Sequence, residues 1–322
     1  MRKLLLICLF PISGFSQSIF PSLGIPASAR GLGMGDLGIA SATENQQLGY
    51  NPAKTAFTNN YHQASISYLP WMTGVSSDTR FLNANYLANI SSSSAMGLSL
   101  YYLRMGDLVI RDANGAILSD YQGSEYHLDG AYALQLGANA SLGACFRVLG
   151  QNLYGTIAKN NLSVAGDLSY YQFLELGDIS QRLEWGIVVS NLGPKVNNNP
   201  LPLQAGFGIG YSNTDATTND RYVFSVDFRR LVNEDWKALR INVGGEYGYD
   251  SRFFLRGGVS LENPNKGDRK FFSLGIGYKG LVADQSWGFD LYYLVPFGVS
   301  TIVSPFQNAY GFTLSLSFGN FQ

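Results

Sequence analysis

Two histidines and their acidic neighbours are the side chains whose types and spacing could support catalysis. The chain contains His62 and His127, and Glu125 and Asp129 stand two residues before and after His127. Residues two apart in a strand share a face, so an Asp-His pair could serve a serine hydrolase. The chain lacks the Gly-x-Ser-x-Gly motif that would present a nucleophile in one such class of hydrolase. We therefore expect no catalytic residue.

Two glycine-containing segments could bind a cofactor or a metal. Gly33, Gly35 and Gly38 match the G-x-G-x-x-G pattern, but a dinucleotide site also needs a strand before the pattern and a helix after it. Neither is expected here. Residues 112–115 resemble the start of a calcium loop, but no Glu stands at its twelfth position. We expect neither a cofactor nor a metal.

The composition excludes several classes of protein. Charged residues make up 14% of the chain, well below the ~25% of an ordinary soluble domain. The 37 glycines, 20 tyrosines and 20 phenylalanines are far from the composition of a disordered chain. The formal net charge is −1, so the chain lacks the basic surface that a nucleic-acid partner would require.

The N-terminus predicts export. Arg2 and Lys3 precede the apolar run 4–12, and the small residues Gly14 and Ser16 follow it, so residues 1–16 are expected to be a signal peptide. Its removal would leave Cys145 as the one cysteine, which excludes a multi-cysteine metal site in the exported chain. No other apolar run approaches the ~18 to 20 residues that a transmembrane helix needs.

Strict alternation of apolar and polar residues recurs in segments of about ten residues, which is typical of strands with one apolar face. In the last segment Phe312, Leu314 and Leu316 alternate with Thr313 and Ser315. The predicted strands are 64–68, 82–90, 96–102, 126–134, 138–148, 162–170, 185–189, 203–211, 222–228, 241–249, 253–261, 272–278, 287–295 and 310–318. Fourteen is an even number, as a single-chain bacterial barrel requires.

The second face of these strands decides between a soluble sandwich and a membrane barrel. It carries charges in mid-strand, namely Asp129, Arg147, Asp167, Asp227, Glu246, Arg256, Lys279 and Asp290. Together with the predicted signal peptide and the aromatic residues on the apolar face, this indicates a barrel with lipid outside and a polar lumen. We predict an all-β, 14-stranded outer-membrane barrel over residues 61–322, with residues 17–60 as an N-terminal plug.

The plug segment contains two local patterns. Gly33 and Gly35 predict a tight turn that packs closely against the barrel wall. Asn51 and Pro52 predict a helical turn with Asn51 as its N-cap and Pro52 at its first position.

Connection lengths predict the orientation of the barrel. Connections 91–94, 135–137 and 250–251 are short and are expected in the periplasm, although 173–181 and 213–220 are long for such turns. The longer connections, expected outside the cell, are 69–78, 105–123, 191–202, 262–268 and 296–308.

The predicted extracellular connections are unusually apolar. They contain Leu69, Pro70, Trp71, Met72, Leu108, Val109, Ile110, Val299, Ile302, Val303 and Phe306. Either these loops fold over the barrel mouth and bury one another, or they form an apolar dock for a partner. In the second case Trp71 and Phe306 are the expected anchors, because buried aromatic residues dominate interface energies.

Several motifs, in order along the chain, resemble the PorV family of the type IX secretion system, within the FadL-like superfamily of outer-membrane barrels. They are residues 29–38, Asn51-Pro52-Ala53-Lys54, 67–71, 106–107 with 112–115, Asn191-Leu192-Gly193-Pro194-Lys195, 245–247, 256–258, 290–296 and the final strand. The chain departs from the family pattern after the ninth strand, where residues 233–238 replace a longer segment.

The resemblance implies an outer-membrane protein that performs no chemistry. It would bind the C-terminal signal domain of secreted cargo, associate with a SprA-like translocation pore, and carry cargo to a PorU-like sortase attachment complex, with outer-membrane lipids around it. Three alternatives follow from related proteins: FadL-like uptake of a hydrophobic small molecule, a PorQ-like role in the attachment complex, and, least favoured, lipid A deacylation.

The predicted topology can be tested with single cysteines. A membrane-impermeant maleimide applied to intact cells should label cysteine at Asn114 or Asn198, because both lie in connections expected outside the cell. It should not label cysteine at Ser92, which lies in a predicted periplasmic turn. The opposite labelling pattern would show that the barrel is inverted.

Overall fold

The protein is a single closed antiparallel barrel of fourteen strands. We describe it from a computed structural model. Each strand pairs with its neighbour in the chain, and β1 pairs with β14 to close the sheet. The structure describes residues 20–25, 28–43, 47–58, 60–70, 78–111, 117–154, 160–263, 269–283, 285–298, 306–307 and 309–320.

The fourteen strands agree in number and order with the alternation in the sequence. Their bounds are β1 Asn60–Pro70, β2 Thr79–Ser91, β3 Ser94–Arg111, β4 Ile117–Gln135, β5 Ala140–Tyr154, β6 Asn161–Leu176, β7 Asp178–Leu192, β8 Gln204–Thr214, β9 Arg221–Leu231, β10 Leu239–Tyr249, β11 Phe253–Leu261, β12 Phe271–Val282, β13 Gln285–Pro296 and β14 Tyr310–Asn320. One α-helix, α1 Ala29–Gly33, and the 3-10 helices Pro21–Gly24, Gln47–Gly49 and Pro52–Phe57 precede the barrel. A fourth 3-10 helix, Trp236–Ala238, joins β9 to β10.

The two faces of the sheet differ as the alternation predicts. In β2 the apolar Leu82 and Tyr86 are exposed on the outside, while Asn83 and Asn85 are buried in the lumen. The charged residues predicted for the second face also lie in the lumen; Asp227, for example, is fully buried. Since lipid surrounds such a barrel, the exposed apolar side chains are the membrane-facing ones.

Connection lengths alternate around the barrel. One end has the short turns 92–93, 136–139, 250–252 and 283–284, which places it in the periplasm. The long connection expected at 173–181 is wrong, because β6 and β7 extend until Gly177 alone joins them, with a positive φ of 77° that glycine adopts readily. The connection 215–220 is longer than the other turns at this end, as expected.

Two expected extracellular loops are instead partly strand. Leu69 and Pro70 end β1, where Pro70 lies opposite Arg80, and Val109 and Ile110 lie in β3, opposite Asp120 and Ser119. The expectation that these four residues lie in loops is therefore wrong. In β3 the alternation is interrupted by a bulge between Arg104 and Asp107, which hides the continuing strand from a simple period-two pattern.

Residues 20–58, where described, run through the lumen and form the plug. Helix α1 contacts β11 to β14, and the 3-10 helix Pro52–Phe57 contacts β3 to β6. Within the part of the chain that the structure describes, no helix is long and apolar enough to cross a membrane. The predicted signal peptide lies outside the described residues.

The register of the sheet can be tested on β14. Leu314 is 51% exposed on the outer face, whereas its neighbour Ser315 points to the other side of the strand. Leu314→Arg should cost about 2 to 4 kcal/mol if Leu314 lies near the bilayer midplane, and Ser315→Arg should cost far less. Unfolding in detergent, followed by heat-modifiable gel mobility, measures the difference. Equal losses at the two positions would show that the register is shifted by one residue.

Candidate functional site

Helix α1 of the plug is held to the barrel wall by buried ion pairs. Arg30 donates from Nε and Nη2 to the two carboxylate oxygens of Glu246, at 2.7 and 3.1 Å. Arg256 Nε donates to the same carboxylate at 2.7 Å, and its Nη1 lies 2.7 Å from Asp290 Oδ1. Glu246 thus joins one plug arginine to one wall arginine.

A second set of polar contacts holds the segment that follows α1. The backbone N–H groups of Gly38 and Ile39 donate to Asp227 Oδ2 at 2.9 and 3.0 Å. Arg229 donates to the Asp36 carbonyl at 2.9 Å, and Arg240 forms an ion pair with the Asp36 carboxylate at 3.3 Å. Plug and wall therefore satisfy many of each other's buried polar groups.

The plug glycines stand where the plug backbone touches the wall. A Cβ at Gly33 would lie 3.0 Å from the Cα of Gly275. Gly35 has a φ of +85°, and a Cβ there would lie 2.7 Å from the backbone nitrogen of Val259. Both the conformation and the close approach require glycine. The pattern Gly33-x-Gly35 therefore fits the wall, as the close-packing interpretation expected.

Asn51 and Pro52 begin the helical turn at the periplasmic half of the plug. The Asn51 side chain accepts a hydrogen bond from the Ala53 N–H at 3.1 Å, and Pro52 is the first residue of the 3-10 helix. The Asn51 amide also donates to the carbonyls of Ile39 and Tyr170. Asn51 thus caps the turn, as predicted, and also ties it to β6.

The beginning of the plug lies under the extracellular connections. Phe20 is fully buried in a cluster with Leu149 of β5 and Leu201 of the connection between β7 and β8. The Ser22 N–H donates to Glu125 at 2.9 Å, and Arg269, just before β12, donates to the Gly24 carbonyl at 2.7 Å. The first described residues therefore join parts of the extracellular end that are distant in sequence.

A buried apolar cluster lies at the extracellular side of the lumen. It joins Leu69 and Phe306 to Leu32 of α1 and to Leu294 of β13. Phe306 is 2% exposed, and Pro70 is also buried. Leu69 and Phe306 therefore leave little apolar surface for a partner in this conformation, because both pack in the cluster with α1, which agrees with the alternative of mutual burial. Trp71, Met72, Ile302 and Val303 lie outside the described residues.

The motif Asn191 to Lys195 builds the turn after β7. Asn191 has a positive φ of 65°; its backbone N–H donates to Asp167 at 2.8 Å, and its side chain accepts from Arg147 at 2.6 Å. A Cβ at Gly193 would lie 2.4 Å from the carbonyl oxygen of Val164. Pro194 and Lys195 continue this turn outside regular secondary structure. The motif thus shapes an extracellular connection and joins it to β5 and β6.

The histidine that could have served a hydrolase is part of a structural network. His127 Nδ1 lies 2.7 Å from Asp129 Oδ1, and the His127 ring stacks on Tyr101 with centroids 4.0 Å apart. Asp129 also accepts from Arg147. Among the described residues no hydroxyl group is hydrogen-bonded to His127 Nε2, although a catalytic base must reach its nucleophile. This arrangement gives no support to lipid deacylation.

A lumen that transports a hydrophobic molecule needs an apolar pocket, but the large inward apolar residues Phe254, Phe271, Tyr171 and Leu294 pack against the plug or against the wall. Phe271 and Leu294 lie in the cluster around α1, and Tyr171 packs with Ala53 of the plug. Phe254 lies beside Arg256 and Lys279. Two grooves, of about 480 and 460 Å³, are lined mainly by outward side chains such as Phe253, Leu255, Ile209 and Phe224.

One exposed aromatic residue escaped the sequence analysis. Trp236, in the 3-10 helix between β9 and β10, is 76% exposed at the extracellular end. The guanidinium carbon of Arg230 lies 4.2 Å from the centre of its ring. Trp236 lies in the connection where the chain departs from the family pattern. That departure was the feature of the sequence that could have drawn attention to it.

Comparison with known families finds one match. The family described as type IX secretion system protein PorV matches residues 16–227. The match ends within β9, before the connection that carries Trp236. No characterised relative matches the chain in sequence.

Solved structures similar to this barrel include transporters of aromatic hydrocarbons. The toluene transporter TodX of Pseudomonas putida has a TM-score of 0.60 and 12% identity, covering 90% of this chain and 95% of that chain. The toluene transporter TbuX of Ralstonia pickettii has a TM-score of 0.59 and 11% identity, covering 91% and 98%. A mutant of TodX, described as a monoaromatic hydrocarbon channel, reaches 0.63 at 12% identity, covering 94% and 100%. These similarities confirm the FadL-like fold.

The ion-paired plug predicts that one carboxylate is essential for stability. Glu246→Gln should cost about 3 to 5 kcal/mol, because it leaves Arg30 and Arg256 buried without their shared counter-charge. Chemical unfolding in detergent, with protease sensitivity of the plug as a second measurement, tests this. Glu175→Gln is the control, because its ion pair with Arg182 is exposed and worth about 0 to 1 kcal/mol. Equal stability of the two variants would contradict the proposed role of Glu246.

Proposed function

The chain belongs to the PorV family of type IX secretion system proteins, and from this premise we propose that it binds the C-terminal signal domains of secreted cargo at the cell surface. It acts as an outer-membrane subunit without catalytic activity. In this proposal it associates with a SprA-like translocation pore and delivers cargo to a PorU-like sortase complex. The outer membrane is its location, as the fold and the family indicate.

The observation that most supports a binding role is the filled lumen. Contacts to the plug come from β4 at Glu125, from β9 and β10 at Asp227 and Glu246, and from β12 at Ser273. A protein that binds partners at one end of a barrel needs a rigid wall and shaped loops, and a bound plug stiffens both. Uptake of a hydrophobic molecule would require this packed segment to move aside.

The proposed dock consists of the connections above the buried extracellular cluster. Leu69 and Phe306 lie at the bases of connections 71–77 and 299–305, and both are buried against the plug. They would therefore hold the loops in place, while Trp71, Met72, Ile302 and Val303 would contact the partner. Val109 and Ile110 extend the β3–β4 hairpin beside this surface.

Trp236 extends the proposed dock on the other side of the barrel mouth. Its ring is exposed, and Arg230 lies against one face of it. An ordered, exposed tryptophan loses little conformational freedom on binding and can bury a large area. In the short β9–β10 connection, Trp236 would replace contacts that a longer segment makes in relatives.

Co-purification from the native membrane tests the proposed role. When the native barrel is cross-linked in its membrane and purified, the translocation pore and proteins that share a C-terminal signal domain should co-purify with it. Mass spectrometry identifies them. Recovery of attachment-complex proteins without cargo would instead support the PorQ-like role. Recovery of neither, with a hydrophobic small molecule in the purified barrel, would support FadL-like uptake and overturn the proposal.

Single tryptophan variants test the dock. Trp71→Ala and Trp236→Ala should each weaken cargo or pore binding by about tenfold or more, since an interface anchor contributes ~2 kcal/mol or more. Binding to immobilised cargo signal domain measures the loss. Trp287→Ala is the matched control, because Trp287 is exposed on the outer wall toward the periplasmic end.

Heat-modifiable gel mobility shows whether each variant barrel still assembles, and binding is compared between assembled variants. Retained binding by both assembled variants would remove the docking proposal. Phe306 is not used for this test. Its truncation in the buried cluster would lower the free energy of unfolding by about 3 to 5 kcal/mol, so a loss of binding could not be separated from a loss of packing.

A further inference from the structure

The outer wall of the barrel carries a groove with aromatic sides, which we call the aromatic groove. Its volume is about 480 Å³, and its lining crosses strands β10 to β13. Five of the lining residues are aromatic and exposed on the outer face, namely Tyr247, Tyr249, Phe253, Tyr278 and Phe289. Because it lies on the membrane side of the wall, the aromatic groove is separate from the plug and from the proposed extracellular dock.

The aromatic groove lies between two rows of outward side chains that the sheet register defines. The row nearer the membrane centre is Tyr247, Leu255 and Ile276, and the row nearer the periplasm is Tyr249, Phe253, Tyr278 and Phe289. Between the rows lies the register pair of Phe254 and Gly277. Phe254 is buried on the lumen side, and Gly277 has no side chain. The floor of the groove is therefore backbone.

Contacts between neighbouring side chains hold the sides of the aromatic groove in place. The Tyr247 hydroxyl donates to Asp220 Oδ2 at 2.9 Å, and the Tyr247 ring lies 5.3 Å from the ring of Tyr222. The rings of Phe253 and Tyr278 lie 5.0 Å apart and are tilted against each other by 49°. Because these rings are already positioned by one another, a ligand that enters the groove has less side-chain motion to restrict.

The aromatic groove begins at the periplasmic boundary of the membrane. Tyr249 is the last residue of β10 and Phe253 is the first of β11, with the periplasmic turn 250–252 between them. The row that contains these two residues therefore stands where outer-membrane barrels have an aromatic girdle. Strands in such barrels are tilted by ~35–45°, so a groove that crosses them runs obliquely between the boundary and the hydrocarbon. A chain that enters at the boundary can follow it.

From this arrangement we infer that the aromatic groove binds an acyl chain of a phospholipid from the periplasmic leaflet, and that this lipid stays on the barrel during purification. Protein and lipid both contact hydrocarbon before they meet, so little hydrophobic driving force is available. The gain comes from van der Waals contacts, which are more numerous in a concave site than on a flat wall. The inference rests on the outer wall and does not depend on the proposed role in secretion.

A lipid chain fits the aromatic groove better than a second barrel does. The outer wall of a closed barrel is convex, so another barrel would touch the two rows and leave the floor at Phe254 and Gly277 uncovered. A flexible chain can reach that floor.

The other groove of the outer wall, of about 460 Å³, offers less contact. It is lined mainly by aliphatic residues and glycines, such as Ile209, Val226 and Gly245. Its sides are therefore lower than those of the aromatic groove, and a lipid chain there gains less over a flat wall. We accordingly expect one retained lipid for each barrel.

Native mass spectrometry of the barrel, extracted from its own membrane in a mild detergent, tests the inference. The wild-type barrel should carry one phospholipid. Phe253→Leu combined with Tyr278→Leu keeps the wall apolar but removes two neighbouring rings, so the bound lipid should fall by about tenfold or more. Tyr278→Phe keeps the ring and should keep the lipid, because the ring and not the hydroxyl forms the side of the groove.

Titration of the delipidated barrel separates recognition of the chain from recognition of the headgroup. The probes are dioleoylphosphatidylethanolamine and the dihexanoyl lipid with the same headgroup, each at the same mole fraction in the detergent. The wild type should bind the dioleoyl probe about tenfold or more tightly, and the double Leu variant should bind the two probes about equally. Equal binding of the two probes by the wild type would indicate a headgroup site and would overturn the inference.

Phe207→Leu combined with Phe228→Leu is the matched control. These two outward rings also lie opposite each other in the register, 6.5 Å apart, and they do not line the aromatic groove. The control should keep the lipid as the wild type does, and heat-modifiable mobility should show that all variants assemble.

Three results would overturn the inference. The first is an unchanged amount of lipid on the assembled Phe253 and Tyr278 double variant. The second is an equal loss of lipid from the control, which would show that the lipid has no specific place on the wall. The third is a wild-type dimer that the double variant converts to a monomer, which would identify a second copy of this chain as the occupant of the groove.

Discussion

The absence of water in the hydrocarbon core is the constraint on which the rest of this structure depends. Every backbone N–H and C=O within the membrane must be paired inside the protein, and a sheet achieves this only by closing on itself. Pairing of β1 with β14 completes that closure. Closure then separates two environments, because side chains alternate between lipid and lumen along every strand. Within the hydrocarbon core the outward residues must be apolar, and charged residues in mid-strand face inward.

The plug solves the problem that closure creates in the lumen. Buried charges are costly unless they are paired and hydrogen-bonded, and the lumen wall carries Glu246, Asp227 and several arginines in mid-strand. Arg30 and the Asp36 carbonyl from the plug supply part of the compensation, while wall residues supply the rest. Because the same contacts also fix the plug to strands on different sides of the barrel, wall and plug depend on each other for stability.

The features that could be predicted from the sequence are those set by a repeated pattern or by neighbouring residues. Period-two alternation gave the number and order of the strands, and local chemistry gave the Asn51 cap, because each depends only on near neighbours. Features that depend on distant parts of the chain were missed. Burial of Phe306 follows from contact with α1, and the continuation of β3 through Val109 follows from pairing with β4 across a bulge. The exposed position of Trp236 depends on the course of a single loop, which the residue alternation does not predict.

The outer wall changes character where the strands approach the extracellular end. The middle of the wall must be apolar because lipid surrounds it, and the outward charges among the described strand residues, Arg80, Arg104 and Arg230, all lie near the extracellular ends of their strands. A charge at that level avoids the cost of a charge near the bilayer midplane. The long connections and the buried cluster that contains Phe306 lie at the same end, so the extracellular end is where the lipid-facing wall, the plug and the loops meet.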